Sequence, residues 1–368
     1  MESEGDTMFD FESDEDLQLI AETARSFAQE ELHPNSREHE KARAVRSEIR
    51  AAFGEMGLAG LELPESVGGA GLGAVARAIV NEELAAGDPG AALALDPLGP
   101  ALYALSEFGG EAALQEFALP LLEEEGARAL LVSEFDGDLE IGDRVSGTVA
   151  WVPSDRVDLL VITSGDEALI VREGIEITEL RGSGLRAAGA SELRLEGARI
   201  LARWHDARAA ARAHARARLY IASLLLGVMR QAADASLNYA LEREAFGKRI
   251  AHHQGLTFLI TDMRAALDGA RLLLHEAAWR VDSGIECEAA AAGAFAEAIE
   301  AGVLIGPNGV QILGGHGFMQ DYPLEKCMRE CRGLGLVLGG VDAAREDAGD
   351  ALLVSSTPVS LSHLEGGA

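Results

Sequence analysis

Apolar positions recur at three- and four-residue spacing over most of this chain and lose that period over one central stretch. Leu17, Ile20, Ala24 and Phe27 lie at helical spacing and Pro34 stops the run. Ser13, three residues before Asp16, reads as an N-cap with an acidic residue at the third helical position. A second helix is expected over about 36–56, a Gly/Pro-rich loop over 63–73, and further helices over 74–86, 91–108 and 111–124. Between about 129 and 200 the pattern changes to short runs at 129–132, 157–163, 168–172 and 192–195, punctuated by Gly, Asp and Ser. From about 203 the chain is helical and alanine-rich. There Leu256, Ile260, Met263, Leu267, Ala270 and Leu274 keep a bundle-helix spacing, and Gly314, Gly315 and Gly317 interrupt the bundle near its end.

The fold class this predicts is mostly α. An N-terminal helical domain (1–128) precedes a small, shortened, antiparallel β-domain (129–202). A C-terminal four-helix bundle (203–354) carries the oligomer surface, and a Ser/Gly/Pro-rich tail (355–368) is expected to be disordered.

Charge narrows the partners. With 31 basic and 61 acidic residues the formal charge is −30, the wrong sign for nucleic acid or for an anionic membrane surface. Residues 1–16 are acidic with no apolar core, so no secretory or transit signal is expected there. The longest strongly apolar stretch, 219–229, is too short to span a bilayer, so no membrane insertion is expected. Three cysteines, Cys287, Cys327 and Cys331, suit a reducing, cytoplasmic setting. Cys327 and Cys331 are four apart on an expected helix, but no histidine or second pair stands nearby in sequence, so plain thiols are expected rather than a metal site. His252, His253 and His316 read as ordinary surface or loop histidines.

Four blocks carry candidate chemistry. They are Leu61-Glu62-Leu63-Pro64-Glu65-Ser66-Val67-Gly68-Gly69-Ala70-Gly71-Leu72; Val145-Ser146-Gly147 with Trp151-Val152-Pro153-Ser154; Arg243-Glu244-Ala245-Phe246-Gly247 with Ile250 and Gln254; and Gln311-Ile312-Leu313-Gly314-Gly315-His316-Gly317-Phe318, followed by Tyr322-Pro323-Leu324-Glu325-Lys326 and Arg329. In this order, over nearly the whole chain, they resemble the acyl-CoA dehydrogenase family. The resemblance implies FAD as cofactor, an acyl-CoA substrate, and an electron-transferring flavoprotein as acceptor. In such enzymes a carboxylate removes the α-proton of a thioester while the β-hydride moves to the flavin.

Carried onto this sequence, the resemblance places Arg243 and Gln254 on one helix at the pyrophosphate and adenine end of FAD, with Phe246 beside them. Gln311, Gly314 and Gly315 would let backbone approach the dinucleotide. Trp151 would flank the flavin ring, with Ser133 in the loop that usually reads Thr-Glu-Pro-x-x-Gly-Ser-Asp.

The departures from the family pattern concern the chemistry itself. The usual Tyr-Glu-Gly-Thr is Val337-Leu338-Gly339-Gly340, so the base position is Leu338, and the alternative base position before Arg218 is Ala217. Neither side chain can take a proton. Pro153 stands where the family's flavin-facing Thr is expected, and the Thr-Glu-Pro loop is reduced to Ser133-Glu134-Phe135-Asp136-Gly137-Asp138.

Three readings follow. The chain is the partner of a homologous, Glu-bearing acyl-CoA dehydrogenase subunit in a heteromer, lending FAD contacts across the interface. Alternatively it is a self-sufficient homo-oligomeric flavoenzyme with a displaced base, for which Glu134, Asp136 and Asp342 are candidates; Asp342 would share a face with Leu338 if that stretch is helical. Or it is a non-catalytic binding or scaffold protein on the same fold.

Overall fold

The computed structural model describes residues 15–354, so the expected Ser13 cap and the 355–368 tail lie outside the described residues. The N-terminal part contains α1 (Glu15–Phe27), α2 (Ser36–Ala42), α3 (Ser47–Glu55), α4 (Ala74–Gly87), α5 (Pro89–Leu95), α6 (Ala101–Ala104), α7 (Gly110–Ala113) and α8 (Leu119–Glu123).

Two expected helices are each broken in two. The 36–56 stretch is cut at Arg43, which adopts φ 57°. Its guanidinium leaves the helix to donate to the Leu180 carbonyl of the β-domain at 2.6 Å, a contact with no local sequence signal. The 91–108 stretch is cut at Asp96, whose Oδ1 accepts from Leu98 N (3.1 Å) and Gly99 N (3.0 Å) while Pro97 and Pro100 bar helix continuation.

The β-domain is one mixed sheet of β1 (Ala129–Ser133), β2 (Gly137–Ile141), β3 (Arg144–Val152), β4 (Leu159–Ser164), β5 (Glu167–Val171), β6 (Ile175–Glu179) and β7 (Ser191–His205). Strand order is β1-β4-β5-β7-β3-β2, with β6 also on β7. The pairing is antiparallel, as expected, except between β1 and β4, which run parallel. Val145, Val149, Leu160, Ile162, Leu169 and Leu193 form its own core. The long β7 joins both halves, pairing with β5 at one end and with β3 and β6 at the other.

The C-terminal bundle is α9 (Ala207–Glu242), α10 (Gln254–Asp282), α11 (Glu288–Leu313), α12 (Leu324–Leu334) and α13 (Gly340–Val354). Asp206 caps α9 by accepting from Arg208 N and Ala209 N. On α10 the expected stripe Met263, Leu267, Ala270 and Leu274 is buried. By length and composition α11 could cross a membrane, an apolar run longer than the 219–229 stretch singled out by sequence. In the fold it is the central bundle helix, packed on α9, α10, α12 and α13. Close approach to α12 depends on Gly306, where a Cβ would lie 2.9 Å from Met328 Cα.

The first helical domain is clamped to the bundle by charge. Glu82 of α4 takes both Arg271 (2.9 Å) and Arg230 (3.3 Å), and the neighbouring Glu83 takes Arg230 (2.7 Å) and Arg25 (2.9 Å).

Candidate functional site

The residues expected to contact FAD sit on the outside of the bundle. Arg243 ends α9 and Gln254 begins α10, so they do not share a helix as the sequence reading had it. Between them the chain makes a tight turn in which β8 (Glu244–Ala245) pairs with β9 (Lys248–Arg249) around Phe246 and Gly247, at φ 53° and 79°. The missed signal was Gly247, a residue suited to positive φ between two runs of helical spacing. Phe246 is 96% exposed and meets His253 edge-on at 6.1 Å.

The glycine block lies beside this turn. Tyr239, one helical turn before Arg243, bonds to His316 Nδ1 at 2.7 Å, and His316 stacks on Tyr322 at 5.5 Å. Thus His316, read from sequence as an incidental loop residue, ties the 314–318 turn to the end of α9. Gly314 has φ 57°, and neither Gly314 nor Gly315 has a neighbour within 4 Å of where a Cβ would stand. Arg243, Gln254 and Gln311 are exposed and make no side-chain hydrogen bond or ion pair among the described residues. Phe318 is 72% exposed. Free donors, open backbone and bare aromatic rings make this an unpartnered polar and aromatic surface.

The ring-side half does not fit. Leu338, at φ 56°, lies in the turn before α13 and is 2% exposed, while Asp342 is exposed in the first turn of that helix. The two therefore do not share a helical face. Leu338 and Pro153 line one small cavity with Val152, Val337, Asp96 and Arg128. Its volume is about 50 Å³, whereas pockets that enclose a drug-sized ligand occupy about 300–1,000 Å³. Trp151 is half-buried against Gly182, and Ser133 is spent locally, its Oγ donating to Asp136 Oδ2 at 2.7 Å. Ala217 is buried in α9.

No proposed replacement base reaches this cavity. Asp136 is committed to Ser133 and, at 3.4 Å, to Gly339 N. Glu134 accepts from Ser164 at the surface. The carboxylate that does line the cavity, Asp96, was not among the sequence candidates. It accepts from two backbone N–H groups and from Tyr220 OH at 3.0 Å, with Arg77 3.8 Å away. Nearby Glu62 accepts from Tyr103 OH (2.7 Å), Arg77 Nε (3.1 Å) and Arg216 Nη2 (3.2 Å). Both carboxylates are thus engaged in the hydrogen bonds and ion pairs of a polar network on this side of the molecule.

A larger cavity of about 480 Å³ opens between the sheet and the bundle, lined by Ser133, Glu134, His214, Arg218 and Asp347 among others. Five carboxylates face it, from Glu134, Asp166, Glu286, Glu288 and Asp347, and Arg218 is paired to Asp347 at 2.6 Å. Burial, with Arg218 beside it, pushes the His214 imidazole down to about 4 against the pull of Asp347. The thiols are inert: Cys327 Sγ donates to Gln231 Oε1 at 3.0 Å, and burial pushes Cys327 up to about 12. No group of three or more metal-ligating side chains occurs among the described residues.

Comparison with known proteins agrees with this fold. Residues 14–125 match the acyl-CoA dehydrogenase N-terminal domain and residues 207–353 the acyl-CoA dehydrogenase C-terminal domain. The mitochondrial short-chain specific acyl-CoA dehydrogenase of Bos taurus is 29% identical over 358 residues, covering 86% of this chain and 84% of that one. A chain from a solved structure of the electron transferring flavoprotein of Acidaminococcus fermentans superposes with TM-score 0.82 at 26% identity, covering 94% of this chain and 100% of the other. Butyryl-CoA dehydrogenase from Megasphaera elsdenii shares the fold at TM-score 0.82 and 22% identity, with 94% and 100% covered.

Proposed function

The chain belongs to the acyl-CoA dehydrogenase family, and from that premise we propose that it is the partner subunit, without its own base, of a heteromeric enzyme that dehydrogenates a CoA thioester. FAD is the family's cofactor and accepts the β-hydride when bound. In this reading Arg243, Gln254, Gln311 and the Gly314-Gly315 backbone hold the pyrophosphate and adenine end of a flavin whose ring lies in the neighbouring, Glu-bearing chain. An electron-transferring flavoprotein then reoxidises it.

The observation that carries the proposal is the small size, about 50 Å³, of the cavity in which Leu338 and Pro153 meet. A chain retaining its own reaction would keep that space open and a proton acceptor beside it. The acidic lining of the larger cavity supports the same reading, because five carboxylates disfavour the phosphate-rich head of CoA. A displaced base in this chain has no support from Asp96, Asp136 or Asp342, for the reasons of bonding and position already given. A scaffold has no use for three unpaired donors around an open glycine turn.

The test is acyl-CoA oxidation by the pure chain with added FAD and an artificial electron acceptor. No turnover is expected; robust turnover by the pure homo-oligomer would sink the proposal.

A further inference from the structure

Arg128, the residue before β1, is a buried cation without a counter-ion. It is 5% exposed; Nη1 donates to the Leu93 carbonyl, Nε is buried with no hydrogen-bond partner, and it forms no ion pair among the described residues. Besides facing the small cavity beside Leu338, it lines an outer, solvent-open cavity of about 310 Å³ with Ser47, Arg50, Glu125, Asp155 and Arg156. Arg50 is also unpaired: Nη1 donates to Ala94 O at 2.7 Å and Nε to Val45 O at 3.3 Å, with no carboxylate in ion-pair contact. Arg156 differs, being bound to both Asp158 and Glu124.

In a chain of net charge −30, two guanidiniums that make no ion-pair contact with a carboxylate stand at one cavity, where Glu125 and Asp155 act on them only from a distance. Burying an uncompensated charge is costly, and a planar guanidinium matches the two oxygens of a carboxylate or phosphate. Burial holds both Arg50 and Arg128 below the ordinary arginine value, against the pull of Asp155 and Glu125 on Arg50 and of Tyr220 and Asp96 on Arg128, while Arg156 depresses Arg50 and Arg50 depresses Arg128. We infer that this outer cavity binds a small oxyanion, a single carboxyl or phosphoryl group held between Arg50 and Arg128. Glu125 and Asp155 in the lining set the size limit, since they repel a polyphosphate. The site is separate from the FAD-lending turn and does not depend on the partner-subunit reading.

The test is isothermal titration calorimetry of the full chain with acetate and with inorganic phosphate, at ionic strength matched with chloride. Saturable binding of acetate alone identifies a carboxyl-bearing ligand. Phosphate alone identifies a phosphoryl-bearing one, and both together a site selective by size only. Arg50→Gln and Arg128→Gln are each expected to weaken binding at least about tenfold, equivalent to about 1.4 kcal/mol. Arg50 is half-buried, so its variant keeps the test alive if Arg128→Gln fails to fold. Arg156→Gln, whose side chain is already paired, should change affinity much less. No saturable heat with either anion, or unchanged affinity in Arg50→Gln, overturns the inference.

Discussion

Replacing Lys326 by methionine removes a buried cation on which three parts of the fold converge. Its Nζ donates to Asp88 Oδ1 at 2.9 Å and to Glu330 Oε1 at 2.8 Å. Asp88 also caps α5 through Gly90 N and Ala91 N, and Glu330 accepts from Leu185 N at 2.8 Å. Methionine fills most of the volume but leaves two buried carboxylates facing each other. Removing one partner of a buried ion pair costs about 3–5 kcal/mol. For a chain of 368 residues the unfolding entropy is about 0.8 kcal/mol/K, so Tm should fall by about 4–6 °C. Burial already pushes the Glu330 carboxyl above its ordinary value against the pull of Lys326, and losing Lys326 raises it further. A carboxyl raised on folding contributes stability that is present below its unfolded pKa, about 4.3, and is lost as pH rises through the folded value. The variant's deficit should therefore be larger at pH 8 than at pH 5. Differential scanning fluorimetry at both pH values measures it. A Tm within about 1 °C of wild type at pH 8 would refute the reasoning.

Three further outcomes follow from the same structure. His214 is depressed on folding, so its contribution is full above about pH 6.5 and lost as pH falls toward 4; His214→Gln should remove up to about 3 kcal/mol of that acid sensitivity. Parallel Tm-versus-pH curves for the two proteins would contradict this. Arg243→Ala should weaken FAD retention in the assembled complex by about 1.5–3 kcal/mol, read as flavin occupancy after gel filtration; unchanged occupancy would make Arg243 a bundle residue only. Leu338→Glu in the chain alone should restore no measurable acyl-CoA oxidation, because the cavity of about 50 Å³ cannot admit a substrate beside the new carboxylate. Turnover by that variant would show the cavity opens.

The order of helices, strands and bundle was legible because the change of hydrophobic period and the long motif blocks are both linear signals. The breaks at Arg43 and Asp96 were less so: one is fixed by a contact with Leu180 more than a hundred residues away, the other by a short Asp-Pro turn inside an otherwise apolar run. Of the strands, β6 escaped notice, since it reads Ile-Glu-Ile-Thr-Glu and buries almost nothing. The expected lending residues Arg243 and Gln254 were placed on one helix because the turn around Phe246 and Gly247 is so short. Lys326 and Arg329 belong to the same C-terminal block as Gly314 but serve packing: Arg329 pairs with Glu325 and Glu40. A motif read as text cannot separate residues that face a ligand from residues that hold its frame. The filled polar interior around Asp96, Glu62 and Tyr220 was invisible for the same reason, being assembled from α4, α6 and α9 and the segments beside them.

Flavin stoichiometry in the complex with a co-expressed, Glu-bearing homologue tests the central claim most directly. The account predicts about one FAD for each pair of unlike chains, with acyl-CoA oxidation present in the complex and absent from this chain alone. One FAD bound per copy of this chain in an active homo-oligomer would contradict it.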